Sequence, residues 1–162
     1  MKNKLTHFAI HIDDIERAKK FYDGVFEWGF NSYGHDRYRK VGVDQHGRKE
    51  GSVMAMDFSL NDMHFLALNG GPMFKFTEAT SIMVNCDTQE EIDYYWSKLT
   101  DQGEEGPCGW LKDKYGVSWQ VAPKILAEYL VSADKHKVER VTNAFMAMKK
   151  FSIAKLKEAY DG

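Results

Sequence analysis

The sequence lacks a surplus of charge of either sign. Its 22 lysine and arginine residues stand against 24 aspartate and glutamate residues, and the formal net charge is −2 at pH 7. Domains that bind nucleic acid usually carry a basic surplus. We therefore expect no nucleic-acid partner.

Long apolar runs and paired cysteines are missing as well. No apolar run approaches the ~18 residues that a membrane span needs, and the N-terminal MKNKLTHFAI has neither the apolar segment nor the cleavage site of a signal peptide. The only cysteines, Cys86 and Cys108, lie far apart, which excludes a zinc knuckle or a thioredoxin-like site. We expect no membrane partner and a reducing, cytoplasmic location.

The sequence contains an internal repeat. Thr6–Gly29 aligns with Thr80–Gly103 at a shift of 74 residues, and each segment reads as a strand followed by a helix. Asp13 with Glu16, and their equivalents Asp87 with Glu90, have the spacing of a helix-capping pair. The alternative is that any capped strand and helix look alike at this level.

Further strands follow each strand–helix pair. Residues 38–43, 53–60 and 64–68 read as strands in the first half, the last two as a hairpin, and residues 108–112 and 117–121 do so in the second. Beyond Pro123 the periodicity becomes helical. The break at Gly70-Gly71-Pro72 separates the halves.

The predicted fold class is therefore α+β, with two βαβββ modules in a curved mixed sheet plus C-terminal helices. The predicted boundaries are residues 1–72 and 78–122 for the modules, which together form one domain over 1–122, and 123–162 for the helical extension. The charged, glycine-containing segment 31–52 reads as a solvated connection, with a flap over the pocket as the alternative.

A strongly curved sheet has a concave face of the kind that binds small molecules. The polar sides of the predicted strands would line it, with Trp110 as an aromatic that either stacks on a planar ligand or packs in the core. The candidate pocket residues are His7, His11, Asn69, Ser81, Asn85, Trp110 and Gln120. Most are neutral hydrogen-bonding groups, which suits binding a polar ligand, and His7 is the candidate general base.

Long stretches of the sequence resemble a known family. THFAIHIDDIERAKKFYDGVFEWGF resembles the first module of the vicinal oxygen chelate superfamily, the glyoxalase, bleomycin-resistance and dioxygenase group. GSVMAMDFSL, FLALNGGPMFKFTEA, VNCDTQEEIDYYW and GWLKDKYGVSWQ are similar to its PhnB-like branch, also labelled demethylubiquinone methyltransferase-like. The resemblance implies paired βαβββ modules, a homodimer and, in metal-dependent members, a divalent ion held by His, Glu or Gln from four strands.

Carried over one position at a time, that ligand set is incomplete in this chain. His7 matches the first-strand histidine and Gln120 the last-strand ligand, whereas the fifth-strand position falls on Ser81. The fourth strand should supply a glutamate near Ala67 or Asn69 and has none. Since a protein-bound divalent ion needs about three or more good N or O donors, we predict no cofactor, with a divalent metal on His7 and Gln120, and His11 as a further donor, as the alternative.

Three functions remain open at this stage. The first is binding of an unidentified small molecule with no tightly held metal; the second is a metal-dependent lyase or dioxygenase-like enzyme; the third is an interaction protein that uses its C-terminal helices. Methyl transfer is not expected, because a nucleotide-type methyl donor usually sits over a glycine-rich turn. The strand–helix junctions HIDDIERA and NCDTQEEI contain no glycine.

Overall fold

The structure is a computed structural model that describes residues 8–11, 14–26, 31–37, 47–60, 63–71 and 73–162. The chain forms two compact units, Met1–Lys75 and Phe76–Gly162. The first contains β1 (Phe8–His11), α1 (Ile15–Val25), β2 (Asn31–Arg37), β3 (Val53–Leu60) and β4 (Met63–Leu68). The second contains β5 (Ile82–Cys86), α2 (Gln89–Leu99), β6 (Glu104–Glu105), β7 (Trp110–Lys112), β8 (Ser118–Pro123), α3 (Lys124–Leu130), α4 (Lys135–Met146) and α5 (Ile153–Asp161).

The two sheets have the same topology. The first has the order β1-β4-β3-β2 and the second the order β5-β8-β7-β6. In each, the first and last strands pair in parallel and the remaining pairs are antiparallel. The predicted α+β fold with two βαβββ modules and C-terminal helices is therefore confirmed.

The N-caps of helices α1 and α2 each differ from the prediction by one residue. Helix α1 is capped by Asp14, whose side chain accepts a hydrogen bond from the Arg17 amide at 3.0 Å; the predicted cap, Asp13, lies outside the described residues. Helix α2 is capped by Thr88. A capping box can be read in either of two adjacent registers when several polar residues are consecutive, as they are here.

The α2 cap satisfies two backbone donors around that helix start. Thr88 Oγ1 accepts from the Glu91 amide at 3.2 Å, and Glu91 Oε2 accepts from the Asp87 amide at 2.6 Å. The predicted pair, Asp87 and Glu90, is therefore wrong: Asp87 instead forms an ion pair with Lys124 at 2.6 Å.

The hairpins close in different ways. The predicted hairpin over residues 53–68 forms, and because Leu60 aligns with Met63, β4 begins one residue earlier than predicted. Between β7 and β8 the longer loop is organised by Asp113, which is 2% exposed. Its carboxylate accepts from the Tyr115 amide at 2.9 Å, the Val117 amide at 3.1 Å and Trp119 Nε1 at 2.9 Å. These bonds hold the turn at Gly116, where φ is 83°.

Two strands were missed by sequence reasoning. Residues 31–37 pair with β3 as strand β2, with irregular register between Ser32 and Gly34, so this part of the 31–52 segment is not a plain connection. The predicted strand at 38–43 lies outside the described residues. The two-residue β6 pairs with β7 and is too short to produce an alternating pattern.

One face of the second sheet packs against α2. Trp119 is 1% exposed and Val121 is fully buried. They meet the apolar side of α2, where Ile92 and Leu99 are also fully buried. In the first unit, α1 buries Ile15, Ala18, Tyr22 and Val25 at the predicted helical spacing.

The C-terminal helices belong to the second unit. The connection between α4 and α5 docks on the start of β7, where the Cys108 and Gly109 amides donate to the carbonyls of Met148 and Lys149, both at 2.7 Å. Gln89 of α2 bonds the Phe151 carbonyl at 3.1 Å and the Ile153 amide at 2.9 Å. No helix within the described ranges has the length and apolar character that a membrane crossing requires.

Candidate functional site

The second sheet has one face that is not covered by α2. Cross-strand register places Met83 and Trp110 on either side of Gln120, and Asn85 beside Ala122. Directly paired residues project from the same side of a sheet. We call the surface formed by these residues together with Ser81 and Lys112 the open face. Met83 is 51% exposed and Asn85 is exposed, whereas Trp110 and Gln120 are half-buried.

A neutral hydrogen-bonded pair lies at the centre of the open face. Gln120 Nε2 donates to Ser81 Oγ at 2.8 Å, joining β8 to the residue that precedes β5. The pair leaves the Gln120 carbonyl oxygen as an acceptor and the Ser81 hydroxyl hydrogen as a donor. It can therefore orient a polar group, and it carries no charge.

A pocket of about 400 Å³ lies at the β6–β7 edge of the same sheet. Trp110 contributes to its wall and is the cross-strand neighbour of Gln120. The turn at Gly106 and Pro107 forms another part of the wall, which is mainly apolar. Gly106 is required there, because a Cβ at this position would lie 2.9 Å from the Trp110 carbonyl oxygen.

Charged groups surround the pocket. Lys112 Nζ lies 2.5 Å from Glu78 Oε1, and this contact lowers the pKa of Glu78 and raises that of Lys112. The Glu78–Lys112 pair therefore remains charged at neutral pH. Glu105 accepts from Trp96 Nε1 at 2.9 Å, and its carboxylate lies 3.7 Å from Lys149 Nζ.

The predicted pocket residues divide between the two units. Ser81, Asn85, Trp110 and Gln120 come together on the open face. Asn69 lies in the first unit, where its side-chain amide donates to the Val53 carbonyl at 3.1 Å. This bond ties the end of β4 to the start of β3.

Neither histidine is brought into a site by the described structure. The backbone of His11 aligns with Leu68 of β4; the side chain lies outside the described part. His7 lies outside the described residues altogether. Its proposed role as a base or ligand stays a prediction.

The two cysteines do not form a reactive centre. Cys86 is 1% exposed, and burial raises the pKa of its thiol to about 12, with the carboxylates of Glu91 and Asp87 adding to the effect. Cys108 is half-buried, and its sulfur lies 3.9 Å from that of Met146. Both are free thiols.

The described donors do not fit a divalent metal. The family position in β4 falls at Ala67, which is buried, or at Asn69, whose amide is engaged with β3. Ser81 and Gln120 are two weak, neutral donors already bonded to each other. Within the described ranges there is no group of three or more His, Cys, Asp or Glu side chains arranged to hold a metal ion.

Sequence reasoning missed the charged part of the pocket. Glu104, Glu105 and Lys112 lie in short strands, and Glu78 lies in the connection to β5. Nothing in the local pattern brings these positions together. The signal that did exist was Trp110, whose size and position in a short strand made it a candidate for ligand stacking.

Comparison with known proteins identifies the family. The family model described as 3-demethylubiquinone-9 3-methyltransferase matches residues 3–122. The chain belongs to this family. A putative 3-demethylubiquinone-9 3-methyltransferase, a PhnB protein from Bacillus cereus, is 33% identical; the match covers 75% of this chain and 99% of that one and superposes with a TM-score of 0.60. Membership of the vicinal oxygen chelate superfamily, predicted from the sequence, is thereby confirmed.

More distant structures share the fold alone. The fosfomycin resistance protein FosX from Mesorhizobium loti is 16% identical, with a TM-score of 0.56 and coverage of 82% of this chain and 100% of that one. FosX from Listeria monocytogenes, in a complex with Mn(II) and a sulfate ion, is 15% identical, with a TM-score of 0.54 and coverage of 75% and 92%. A comparison with curated proteins finds no match.

Proposed function

We propose that this member of the family binds a small molecule on the open face of its second sheet, at the pocket beside Trp110. The observation that carries the proposal is the pocket itself, with a volume of about 400 Å³. Pockets for small ligands usually measure about 300–1,000 Å³ and combine an apolar wall with a few polar groups. Trp110, Gly106 and Pro107 supply the apolar wall, Glu78, Glu104 and Lys112 supply polar groups, and the Gln120–Ser81 pair lies beside the pocket, next to Trp110.

The groups present favour binding over chemistry. The Gln120–Ser81 pair is neutral and hydrogen-bonded, so it can orient a ligand but is a poor proton acceptor. Binding in this pocket requires no metal, because Trp110 and the surrounding charges can supply contacts unaided. His7 would be the base if the protein also catalyses a reaction.

Methyl transfer, which the family's name mentions, is not part of the proposal. A nucleotide-type donor places its charged group against free amides at a helix start. At α2 the Asp87 and Glu91 amides are already bonded by the side chains of Glu91 and Thr88. A ligand there would have to displace both.

The proposal includes the assembly and organisation expected from the sequence. We take the chain to be a homodimer in the cytoplasm, with modules at residues 1–72 and 78–122 and the helical extension at 123–162. The free thiols of Cys86 and Cys108 support a reducing compartment. Native mass determination tests the dimer.

A ligand screen tests the proposed function. Thermal unfolding of the full chain would be measured against small aromatic, thiol, phosphonate and metal compounds, because a ligand of the native state raises the melting temperature. Compounds that raise it would be titrated by calorimetry into the wild type and Trp110→Ala. We expect a loss of affinity of about 10-fold or more on removing the indole, because a buried aromatic contact contributes on that order.

Tyr94→Ala is the matched control, since Tyr94 is a half-exposed aromatic of the same unit that does not line the pocket. It should leave affinity unchanged. Equal affinity of every confirmed compound for the wild type and Trp110→Ala would contradict the proposal.

A further inference from the structure

The carboxylates around the pocket are not equally neutralised. Glu78 forms its ion pair with Lys112, and Glu105 lies near Lys149 while accepting from Trp96. Glu104 also lines the pocket, is exposed, and has no ion-pair partner among the described residues. Of the residues that line the pocket, Lys112 is the one cation; it is ion-paired with Glu78, and the charge of its cross-strand neighbour Glu104 also acts on it. With Glu105 engaged by Trp96 of α2, Glu78, Glu104 and Lys112 leave the pocket with one negative charge in excess.

Glu104 is held at a fixed position relative to the pocket wall. Its register partner is Lys112, and Lys112 in turn pairs with Ser118 of β8. Gly103, just before it, permits the close approach of the two strands, since a Cβ there would lie 2.2 Å from the Lys112 carbonyl oxygen. Strand pairing therefore keeps the carboxylate at the edge of the pocket.

Trp110 also favours a positively charged ligand. The face of an indole ring carries negative electrostatic potential and attracts cations within about 6 Å more strongly than the other aromatic side chains do. The ring also offers a large flat surface to a planar ligand. An apolar wall, an indole ring and an excess of one carboxylate together match a ligand that has a flat or apolar body and a positively charged group.

We infer that the pocket selects small cationic ligands, namely aromatic or alkyl amines and quaternary ammonium compounds, over neutral or anionic ones of the same shape. The inference rests on the proposed function and specifies its ligand class. The cation would lie between Glu104 and the face of Trp110. The Gln120–Ser81 pair, on the neighbouring strands, would receive a neutral polar group of the same ligand.

Three probes that share a benzyl body test this selectivity on the full chain. Benzyltrimethylammonium, benzyl alcohol and benzylphosphonate would be titrated by calorimetry or by protein NMR at low ionic strength. We expect the cation to bind about 10-fold tighter than the alcohol, and the phosphonate to bind weakest, because a cation–π contact and an exposed ion pair each contribute up to about a 5-fold change in affinity. The preference should shrink as salt is added, because exposed charges are screened.

Glu104→Gln should remove most of the preference for the cation while leaving the binding of benzyl alcohol unchanged. Glu128→Gln, at an exposed glutamate of α3 that does not line the pocket, is the matched control and should bind all three probes as the wild type does. Because Glu104 is exposed, the substitution should not disturb folding, and circular dichroism verifies this.

Each outcome decides the question. Equal or tighter binding of the phosphonate, or a preference for the cation that survives Glu104→Gln, overturns the inference but leaves the proposed function standing if Trp110→Ala weakens the bound probe. If none of the probes binds while compounds of the wider screen bind in a Trp110-dependent manner, the inference fails and the proposed function stands. If nothing in either set binds, both fail.

Discussion

The two sheets share a strand order and differ at the residues that occupy equivalent positions. Phe65 aligns with the first residue of β1, and Trp119 with the first residue of β5. One residue further along, β4 has Leu66 paired with Asp57, whereas β8 has Gln120 paired with Trp110. The two halves of the repeat therefore share a backbone arrangement and differ in the side chains at equivalent positions.

This difference explains why the candidate site lies in the second unit. At the position of Gln120 the first sheet offers an aliphatic side chain, which cannot orient a polar ligand. Among the described residues, only the second sheet combines a polar pair with a half-buried indole. Strand pairing requires only backbone groups, so side chains at matching positions are free to diverge.

The largest effect is expected from disrupting the loop between β7 and β8, which distinguishes the second hairpin from the first. Asp113→Ala removes the acceptor for two amides and the Trp119 indole. Leaving buried donors unsatisfied costs about 1–3 kcal/mol each, and from that range we expect a loss of about 4 kcal/mol in the free energy of unfolding, measured with urea.

Asp113→Asn keeps an oxygen for the amides but turns a donor toward Trp119, so a smaller loss of about 2 kcal/mol is expected. Asp101→Ala, at an exposed position of the same unit, should change little. If Asp113→Ala costs no more than Asp101→Ala, the loop does not depend on the carboxylate.

Glycines make a second contrast between the units. Gly109 has φ of 79°, and a Cβ there would lie 2.4 Å from the Phe151 ring and 2.7 Å from the Val121 carbonyl oxygen. Gly109→Ala combines backbone strain with overpacking and should cost about 3 kcal/mol. Chemical denaturation followed by circular dichroism measures the loss.

Gly24→Ala is the matched substitution in the first unit. Gly24 is in helix α1, and no atom lies within 4 Å of its Cβ position. Alanine should therefore stabilise the protein by about 0.5–1 kcal/mol. Stabilisation by Gly109→Ala would show that the docking of the α4–α5 connection is looser than its contacts indicate.

The pH dependence of the free energy of unfolding tests a feature that the first unit lacks, because both cysteines lie in the second unit. Burial raises the pKa of Cys86 from 9.0 to about 12, so the folded thiol stays protonated where the unfolded thiol has ionised. Its contribution to stability is complete below pH 9 and is lost as pH rises toward 12. At a pH about one unit above the unfolded pKa, the wild type should have lost about 1.4 kcal/mol relative to neutral pH through this group.

Cys86→Ala removes this part of the pH dependence, and the difference between the two proteins isolates it from other titrating groups. Identical pH dependence of the wild type and Cys86→Ala would show that the folded thiol ionises as easily as the unfolded one.

The substitution with the smallest expected change in stability makes the two sheets alike at one position. Gln120→Leu gives β8 the residue that β4 has at the equivalent position, and at a half-buried site it should alter the free energy of unfolding by less than about 0.5 kcal/mol. Ligands found in the screen should bind about 5-fold or more weakly, because the group that orients their polar part is gone. Calorimetry measures the affinity, and thermal unfolding the stability.

The reciprocal change, Leu66→Gln, should cost about 1 kcal/mol of apolar burial and leave binding as it was. If both substitutions affect binding equally, the site is not confined to the second sheet.

Much of the fold could be predicted from local patterns. The periodicity of α1 located its buried face, and the alternation in residues 53–68 located the first hairpin. The helix caps were displaced by one residue, because neighbouring polar residues such as Asp87 and Thr88 compete for the same role. Strand β2 was missed, since NSYGHDR has low strand propensity and forms a strand only by pairing with β3.

The candidate site was predicted in part. Ser81, Trp110 and Gln120 were named from their strands, and the structure assembles them on one sheet face. Glu78 and Glu104 were not named, because a connection and a two-residue strand give no signal before the chain has folded. Asn69 was also named; its amide bonds the Val53 carbonyl within the first unit, and its place in a pocket stays a prediction.

The sequence by itself determined the duplicated βαβββ frame and the family, because strand alternation, helical spacing and long motifs are properties of consecutive residues. Only the tertiary structure decided that Gln120 meets Ser81 and that Glu78, Glu104 and Trp110 border one pocket. Those residues are separated along the chain, and their meeting depends on strand register, which backbone hydrogen bonds and burial of the Trp119 face establish together.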